Sequence, residues 1–338
     1  MAAWVTWRTA MERALYGPDG FYRRGERPGE HFRTSVHASP GFAAALARLL
    51  TEVDADLGRP PRLDLVDVGA GGGGLLAAIT ANVPPDLAGR LALTAVEVAP
   101  PPAGIPDRIR WRDTLPGEIT GLVIANEWLD NVPLDVVEQT PDGPRTVLVD
   151  PATGTERPGP PPTGEDADWL ERWWPLREPG DRAEVGHPRC DAWAAVLRRL
   201  RRGVAVAMDY SHSRATRPVY GTLTGYRDGA TVPAVPDGSC DVTAHVALDA
   251  CTRAGEQAGA TASLFTTQRA ALRALGLTGE RPPAALAGRD PRGYVAALCA
   301  AGADAELIDP AGLGGFGWLV QAVDVPLPAS LAGVQIST

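Results

Sequence analysis

Chemistry is first suggested by Val66-Asp67-Val68-Gly69-Ala70-Gly71-Gly72-Gly73-Gly74, an apolar run that ends in glycines just before a helical pattern starting near Leu75. Glycines there let the backbone turn sharply and approach a ligand, and the first turn of the helix offers unpaired N–H groups. The spacing of Gly69, Gly71 and Gly74 also satisfies G-x-G-x-x-G, so a dinucleotide site and a purely structural turn are both open readings. Two acidic neighbours bear on the choice. Asp67 suits a cationic sulfonium and an amino-acid ammonium, whereas a pyrophosphate would be repelled by a carboxylate in a partly buried cleft. Glu97 ends the next apolar run, where an acidic side chain can accept from both ribose hydroxyls, and it lies farther from Gly69 than the roughly 20 residues of the dinucleotide fingerprint. Together they favour S-adenosylmethionine over a nicotinamide cofactor, with Gly69, Gly71 and Gly73 shaping the turn.

Further polar residues fall where the same ligand would extend. Asp113 follows the apolar Ile109-Arg110-Trp111 segment and would meet the adenine amine if that segment is a third strand; a solvated loop carboxylate is the other reading. Asn126-Glu127-Trp128-Leu129-Asp130-Asn131 follows a fourth apolar run, at the edge where open α/β sheets bind ligands. Asn126 and Glu127 would face the donor's methyl group and the incoming nucleophile, with Asp130 one turn on, unless Asn and Asp simply cap a helix. Asp209 and Tyr210 end a fifth run and would line the acceptor side or terminate the strand. His245, read near the start of a helix from about Thr243, can move a proton or serve as a structural hydrogen-bonder. Methyl transfer needs no metal, and none is expected.

The elements that position these residues follow from periodicity. Ser39-Pro40 supplies a cap and first-turn pair before Phe42, Leu46, Leu49 and Leu50 recur at helical spacing. Residues 1–60 therefore read as a helical section forming part of the cleft, and 61–338 as the catalytic domain, with an insertion at about 135–200. Short continuous apolar runs alternating with helical patterns predict an α/β, doubly wound, mostly parallel sheet buried on both faces. The stretch from Thr140 to Asp168, rich in Pro and Gly, reads as a surface linker contributing little core, and Trp169, Trp173 and Trp174 beside it as either a docking surface or a satellite core.

Composition narrows the classes further. The 338-residue sequence contains no lysine, which excludes GKS-type phosphate loops, pyridoxal Schiff bases and lysine-amine catalysis. A net charge of −9 argues against nucleic-acid binding. The cysteines at 190, 240, 251 and 299 form no C-x-x-C pair and no disulfide framework, which fits the reducing cytoplasm. No apolar run approaches the roughly 18 residues of a membrane span.

Several separated segments carry a resemblance to a known family. They are Tyr16-Gly17-Pro18-Asp19-Gly20-Phe21-Tyr22, Thr34-Ser35, Asp67 to Gly73, Glu97, Asn126 to Pro133, Asp209-Tyr210, Gly221-Thr222-Leu223 with Gly225-Tyr226, Pro236-Asp237-Gly238, Asp241 to Val246, and Thr267-Gln268. In this order they resemble the MidA family of S-adenosylmethionine-dependent methyltransferases, whose mitochondrial members assist assembly of respiratory complex I. The resemblance implies a class I methyltransferase, Rossmann-like sheet with an added substrate-binding region, and symmetric dimethylation of an arginine on a protein partner. It also implies an acceptor site lined by Thr34, Ser35, Asp209 and Tyr210. The chain departs from the family where Val36-His37-Ala38 follows Thr34-Ser35 and where Ser211 follows Asp209-Tyr210. An arginine acceptor needs a carboxylate to hold and orient its guanidinium, for which Glu127 is the first candidate and Asp130 the second. A partner-binding assembly factor with little turnover and a nicotinamide oxidoreductase are the alternative readings.

Overall fold

The computed structural model describes residues 4–23 and 35–334. Its centre is a seven-stranded sheet built from β1 (Leu63–Val68), β2 (Leu91–Val96), β3 (Ile109–Arg112), β4 (Ile119–Asn126), β5 (Leu200–Asp209), β6 (Ala262–Thr267) and β7 (Gly317–Val323). The order across the sheet is β6-β7-β5-β4-β1-β2-β3, and β7 alone runs antiparallel to its neighbours. The continuous apolar runs are explained by burial on both faces. Leu63, Leu65, Leu122, Ile124, Val204 and Val206 join one core. Val66, Val68, Val123, Ala125, Ala205 and Ala207, alternating with them, join the other. The strand order reverses its progress between the parallel neighbours β1 and β4, which is the switch point where ligands bind in open α/β sheets.

The helix Pro40–Asp56 covers the first face. The Ser39 hydroxyl caps it by accepting from the Gly41 N–H at 3.0 Å, and Pro40 takes the first helical position. Phe42, Leu46, Leu49, Leu50 and Val53 are fully buried there, each contributing roughly 1.5–3 kcal/mol relative to exposure before conformational entropy is set against it. Helices His187–Arg199 and Leu248–Gln257 cover the second face through Trp193, Val196, Leu197, Leu248 and Cys251.

Two expectations are corrected. The stretch after Thr140 is not a bare linker: Gly143–Val149 pairs with Val136–Thr140, with Glu156–Pro158 and with Val5–Thr6, and Arg182–Glu184 extends the same antiparallel sheet. Val147 and Val149 enter a third core with Trp7, Met11, Leu15, Phe21 and Val242. Prolines and glycines that punctuate short antiparallel strands produce the same local signal as a loop. That core ties the N-terminal helix Trp7–Tyr16 to the insertion, helped by Glu156, which accepts from the Trp7 indole at 2.7 Å and is gripped by both Arg182 terminal nitrogens. The second correction is the helix placed from about Thr243. Asp241–Thr243 is a strand whose Thr243 pairs with Thr224, and the helix begins at Leu248. Trp169 and Trp174 are buried in the second core, with Trp173 packed against it, so they belong to the main core of the central sheet and form neither a docking surface nor a separate satellite core. Among the described residues no helix is long and apolar enough to cross a membrane.

Candidate active site

The ends of β1, β2, β3 and β4 converge on a cavity of about 440 Å³, within the usual range for small-molecule sites. Its walls include Gly69, Gly71, Glu97, Asp113, Glu127 and Trp128, with Tyr16 and Tyr22 contributed by the N-terminal segment. The register explains the convergence: Val68 is paired with Val96 on one side and Ala125 on the other, so the turn after β1 lies between Glu97 and Asn126.

Gly69, Gly71 and Gly73 all have positive φ, at 73°, 51° and 70°. Other residues adopt this conformation only at a cost. A Cβ at Gly69 would lie 2.8 Å from Trp128 Cδ1 and one at Gly73 2.6 Å from Ile105 Cδ1, whereas one at Gly71 would meet nothing. Gly69 thus lets the turn pass the Trp128 ring, Gly73 serves packing, and Gly71 keeps its N–H available. That N–H donates to Glu97 Oε2 at 2.8 Å, and Glu97 Oε1 accepts from the Ala99 N–H at 3.0 Å. A carboxylate held this way at the end of β2 is preset to accept further hydrogen bonds from a ligand diol. Asp113 lies just beyond β3 on the same wall, beside Thr114 and Leu115.

Asp67 does not occupy the place expected of it. It is nearly fully buried and absent from the cavity wall. Alternation along β1 puts it on the same face as Leu63 and Leu65. Burial, and then the charge of Glu97, push its carboxyl up to about 8, so it is mostly a neutral acid at pH 7. Asn126 is likewise buried; its Nδ2 donates to Glu127 Oε1 at 3.1 Å, making it a positioning residue for Glu127.

Glu127 is the chemical centre of the far wall. It holds φ at 50°, a left-handed bend at the end of β4, with its N–H donating to Met208 O at 2.8 Å. Its Oε1 accepts from the Ser35 N–H at 3.0 Å in addition to the Asn126 amide. Burial pushes this carboxyl up to about 7; the Ser35 hydrogen bond opposes that shift and Asp130 reinforces it. Ser35 therefore reaches the site, through its backbone, while Thr34 and residues 24–33 before it lie outside the described residues.

Asp130 and Asp209, expected at the acceptor, are buried beneath it. Asp209 Oδ2 accepts from the N–H groups of Leu129 and Asp130 at 3.0 and 3.2 Å, fixing the turn after Glu127. Asp130 Oδ2 accepts from the Thr243 hydroxyl at 2.8 Å. Burial pushes both carboxyls up, and the other oxygen of each has no hydrogen-bond partner, as suits neutral acids. Their neighbour Arg189, also buried, donates to the carbonyls of Val132, Ala244, His245 and Asp130 and locks the insertion onto the strand ends. His245 and Tyr210 stand outside the donor cavity, stacked on each other at 5.5 Å and lining a second recess.

Sequence reasoning did not place Tyr16, Tyr22, Asn131 and Asp241 in the site. The Tyr16 and Tyr22 rings stack at 5.6 Å in the cavity wall. Tyr16 donates to Asn131 O at 3.1 Å, Tyr22 donates to Asp241 Oδ1 at 2.9 Å, and Asn131 Nδ2 donates to the same oxygen at 2.8 Å. Tyrosines flanking a Gly-Pro-Asp-Gly turn were the available signal.

The sequence model of a family described as "Putative S-adenosyl-L-methionine-dependent methyltransferase" matches residues 45–266. The chain belongs to this methyltransferase family. A crystal structure of a Burkholderia thailandensis protein bound to S-adenosyl-homocysteine is similar to it throughout, with a TM-score of 0.82 and 27% identity over 99% of this chain and 92% of that one. A native structure of an uncharacterized protein from the same organism gives 0.80 and 26% over 99% and 91%. No curated protein matches the chain.

The residues of this methyltransferase fit its donor. Glu97 would supply a carboxylate for the ribose, Asp113 would supply a second acceptor, and Val98, Leu115 and Pro100–Pro102 would form an apolar wall for a purine. Gly71, where a Cβ would project into open space, leaves the backbone accessible. Glu97 and Glu127 on the walls would offer carboxylates to a cationic ligand.

Proposed function

We propose that this methyltransferase acts on a positively charged side-chain nitrogen of a protein, an arginine guanidinium foremost, by in-line transfer. The observation that carries the reading is Glu127: a partly buried carboxyl on the wall of the donor cavity, held by Ser35 and Asn126. The resemblance to the MidA family supports the choice of arginine. Tyr16 and Tyr22 on the cavity wall support a cleft shared between the N-terminal section and the sheet domain. The four cysteines are free thiols, which is consistent with a cytoplasmic location.

The donor, when bound, supplies an electrophilic methyl carbon on a cationic sulfur, to which the C–S electron pair returns as the acceptor's N–C bond forms. Glu127 holds the acceptor nitrogen, offsets its charge and takes the proton that nitrogen gives up. A carboxyl pushed up to about 7 is matched to that task at neutral pH. Asn126 and the Ser35 N–H fix the carboxylate's direction, leaving Oε2 for the acceptor. Trp128, Tyr16 and Tyr22 exclude water from the same end.

The test is incubation of the purified protein with methyl-labelled donor and a cell extract, followed by mass spectrometry of labelled proteins. Methylarginine in one or a few proteins is the expected result. Label found only on small molecules would overturn the reading.

A further inference from the structure

A second recess of about 480 Å³ lies at the C-terminal end of β5, lined by Tyr210, His245, Glu306, Asp309, Ala311 and Phe316, among others. We propose that this recess is the acceptor's binding site and that it takes a side chain ending in a positively charged nitrogen, presented by a protein or peptide. The proposal rests on the function proposed above and specifies where its substrate enters.

One wall is aromatic. Tyr210 stacks on His245 and packs against Phe316 with ring centroids 4.1 Å apart. Aromatic faces attract cations and cover an alkyl stem. The rim is acidic: Glu306 and the exposed Asp309 both line it, and among the described residues no arginine does. Burial, followed by the field of Arg189, lowers the basicity of His245, so its imidazole is neutral at pH 7 and does not repel a cation. The volume suits one long side chain with its flanking backbone.

Position argues in the same direction. Tyr210 directly follows β5, and Met208 near the end of that strand accepts the Glu127 N–H, so Tyr210 and Glu127 stand on adjoining strand ends. Glu127 is also the strongest of the charges acting on the Tyr210 phenol. The recess and the donor cavity share none of their lining residues. With the recess opening beside the strand end that carries Glu127, a long side chain seated there would extend its nitrogen toward Glu127 on the donor-cavity wall, the approach that in-line displacement requires.

Fluorine NMR of protein labelled with 3-fluorotyrosine tests this directly, because the sequence has only six tyrosines and each signal can be assigned by a Tyr→Phe variant. The probes are N-acetyl-arginine methylamide, its lysine counterpart and the neutral norleucine counterpart, added to the S-adenosylhomocysteine complex. The cationic probes should shift the Tyr210 signal, and norleucine should not at equal concentration. Ala311→Trp, which fills the recess from an exposed position, should weaken the arginine probe at least about tenfold while S-adenosylhomocysteine affinity changes less than about twofold. Asp309→Asn should weaken the cationic probes without filling space. Shifts at Tyr16 or Tyr22 in place of Tyr210 would overturn the recess but leave the methyl-transfer reading standing. Equal shifts with norleucine, or none at Tyr210 with any probe, would also overturn it. Binding in the recess with no methylarginine formed in extract would instead sink the functional reading alone.

Discussion

Replacing Glu127 with glutamine separates the charge of this side chain from its shape. A glutamine can keep Oε1 as acceptor for the Ser35 N–H and the Asn126 amide, so the wall of the cavity should stand. It cannot take a proton or offset a cation. Loss of a positioned base costs about 10²–10⁴ in rate, and that is the expected fall in labelled methyl incorporation at pH 8. S-adenosylhomocysteine, with a neutral sulfur, should bind the variant within about twofold of wild type by calorimetry, while the cationic donor binds more weakly. The pH profile gives an independent readout. With its carboxyl near 7, about a tenth of Glu127 is ionised at pH 6 and about nine tenths at pH 8, so the wild-type rate should rise about tenfold across that window. Saturating donor moves the midpoint downward, because a cation favours the carboxylate. The variant should be flat. A variant retaining more than about a tenth of the wild-type rate, or a wild-type profile that is flat from pH 6 to 8 with its midpoint not displaced below that range, would refute the base assignment.

Glu97→Ala should weaken S-adenosylhomocysteine by about 10–100-fold, since it removes a charged acceptor worth roughly 1.5–3 kcal/mol; calorimetry showing unchanged affinity would remove Glu97 from the donor site. Gly69→Ala should lower stability by about 1–3 kcal/mol in denaturant titration and impair donor binding, because φ is 73° and the new Cβ would press on Trp128. Asp241→Asn tests the buried acids. The folded-state carboxyl is raised to about 8, chiefly by burial, so its contribution to stability is present at low pH and lost as pH rises through 8. Wild-type melting temperature should fall between pH 6.5 and 8.5, and the variant, which can still accept from Tyr22 and Asn131, should fall less; parallel curves would contradict this.

The sheet was legible because strands buried on both faces leave uninterrupted apolar runs, as in β4, and because a helix such as Pro40–Asp56 announces its start through Ser39 and Pro40. Glu97 and Glu127 were legible for the same reason: each directly follows a strand that pairs beside β1. The rest depended on facts that spacing does not encode. Asp67 and Val68 differ by one position, and the alternation that buries Asp67 can be fixed only when the covering helix is known. Asp209 looks the same in sequence whether it faces a ligand or accepts from the Leu129 and Asp130 N–H groups. Tyr16 and Tyr22 reach the cavity only because Trp7 and Phe21 pack into a core shared with the insertion, and the strands of that insertion were hidden among prolines and glycines.

The bend at Glu127 explains why so many acids cluster at these strand ends. A non-glycine residue at φ 50° costs on the order of 1–3 kcal/mol, and a partly buried carboxyl adds a desolvation penalty. Glycine would relieve the first cost and glutamine the second, so local stability alone does not account for a glutamate there. The surrounding residues hold the strained geometry from both sides. Asp209 accepts from the two N–H groups that follow the bend, Met208 accepts from the bend itself, and Arg189 grips the Asp130 carbonyl. These contacts act on the backbone, and their effect is to aim one carboxylate across the donor cavity. Asp130 and Asp209 line neither cavity and support the backbone around Glu127, and removing them should disturb its orientation before its chemistry.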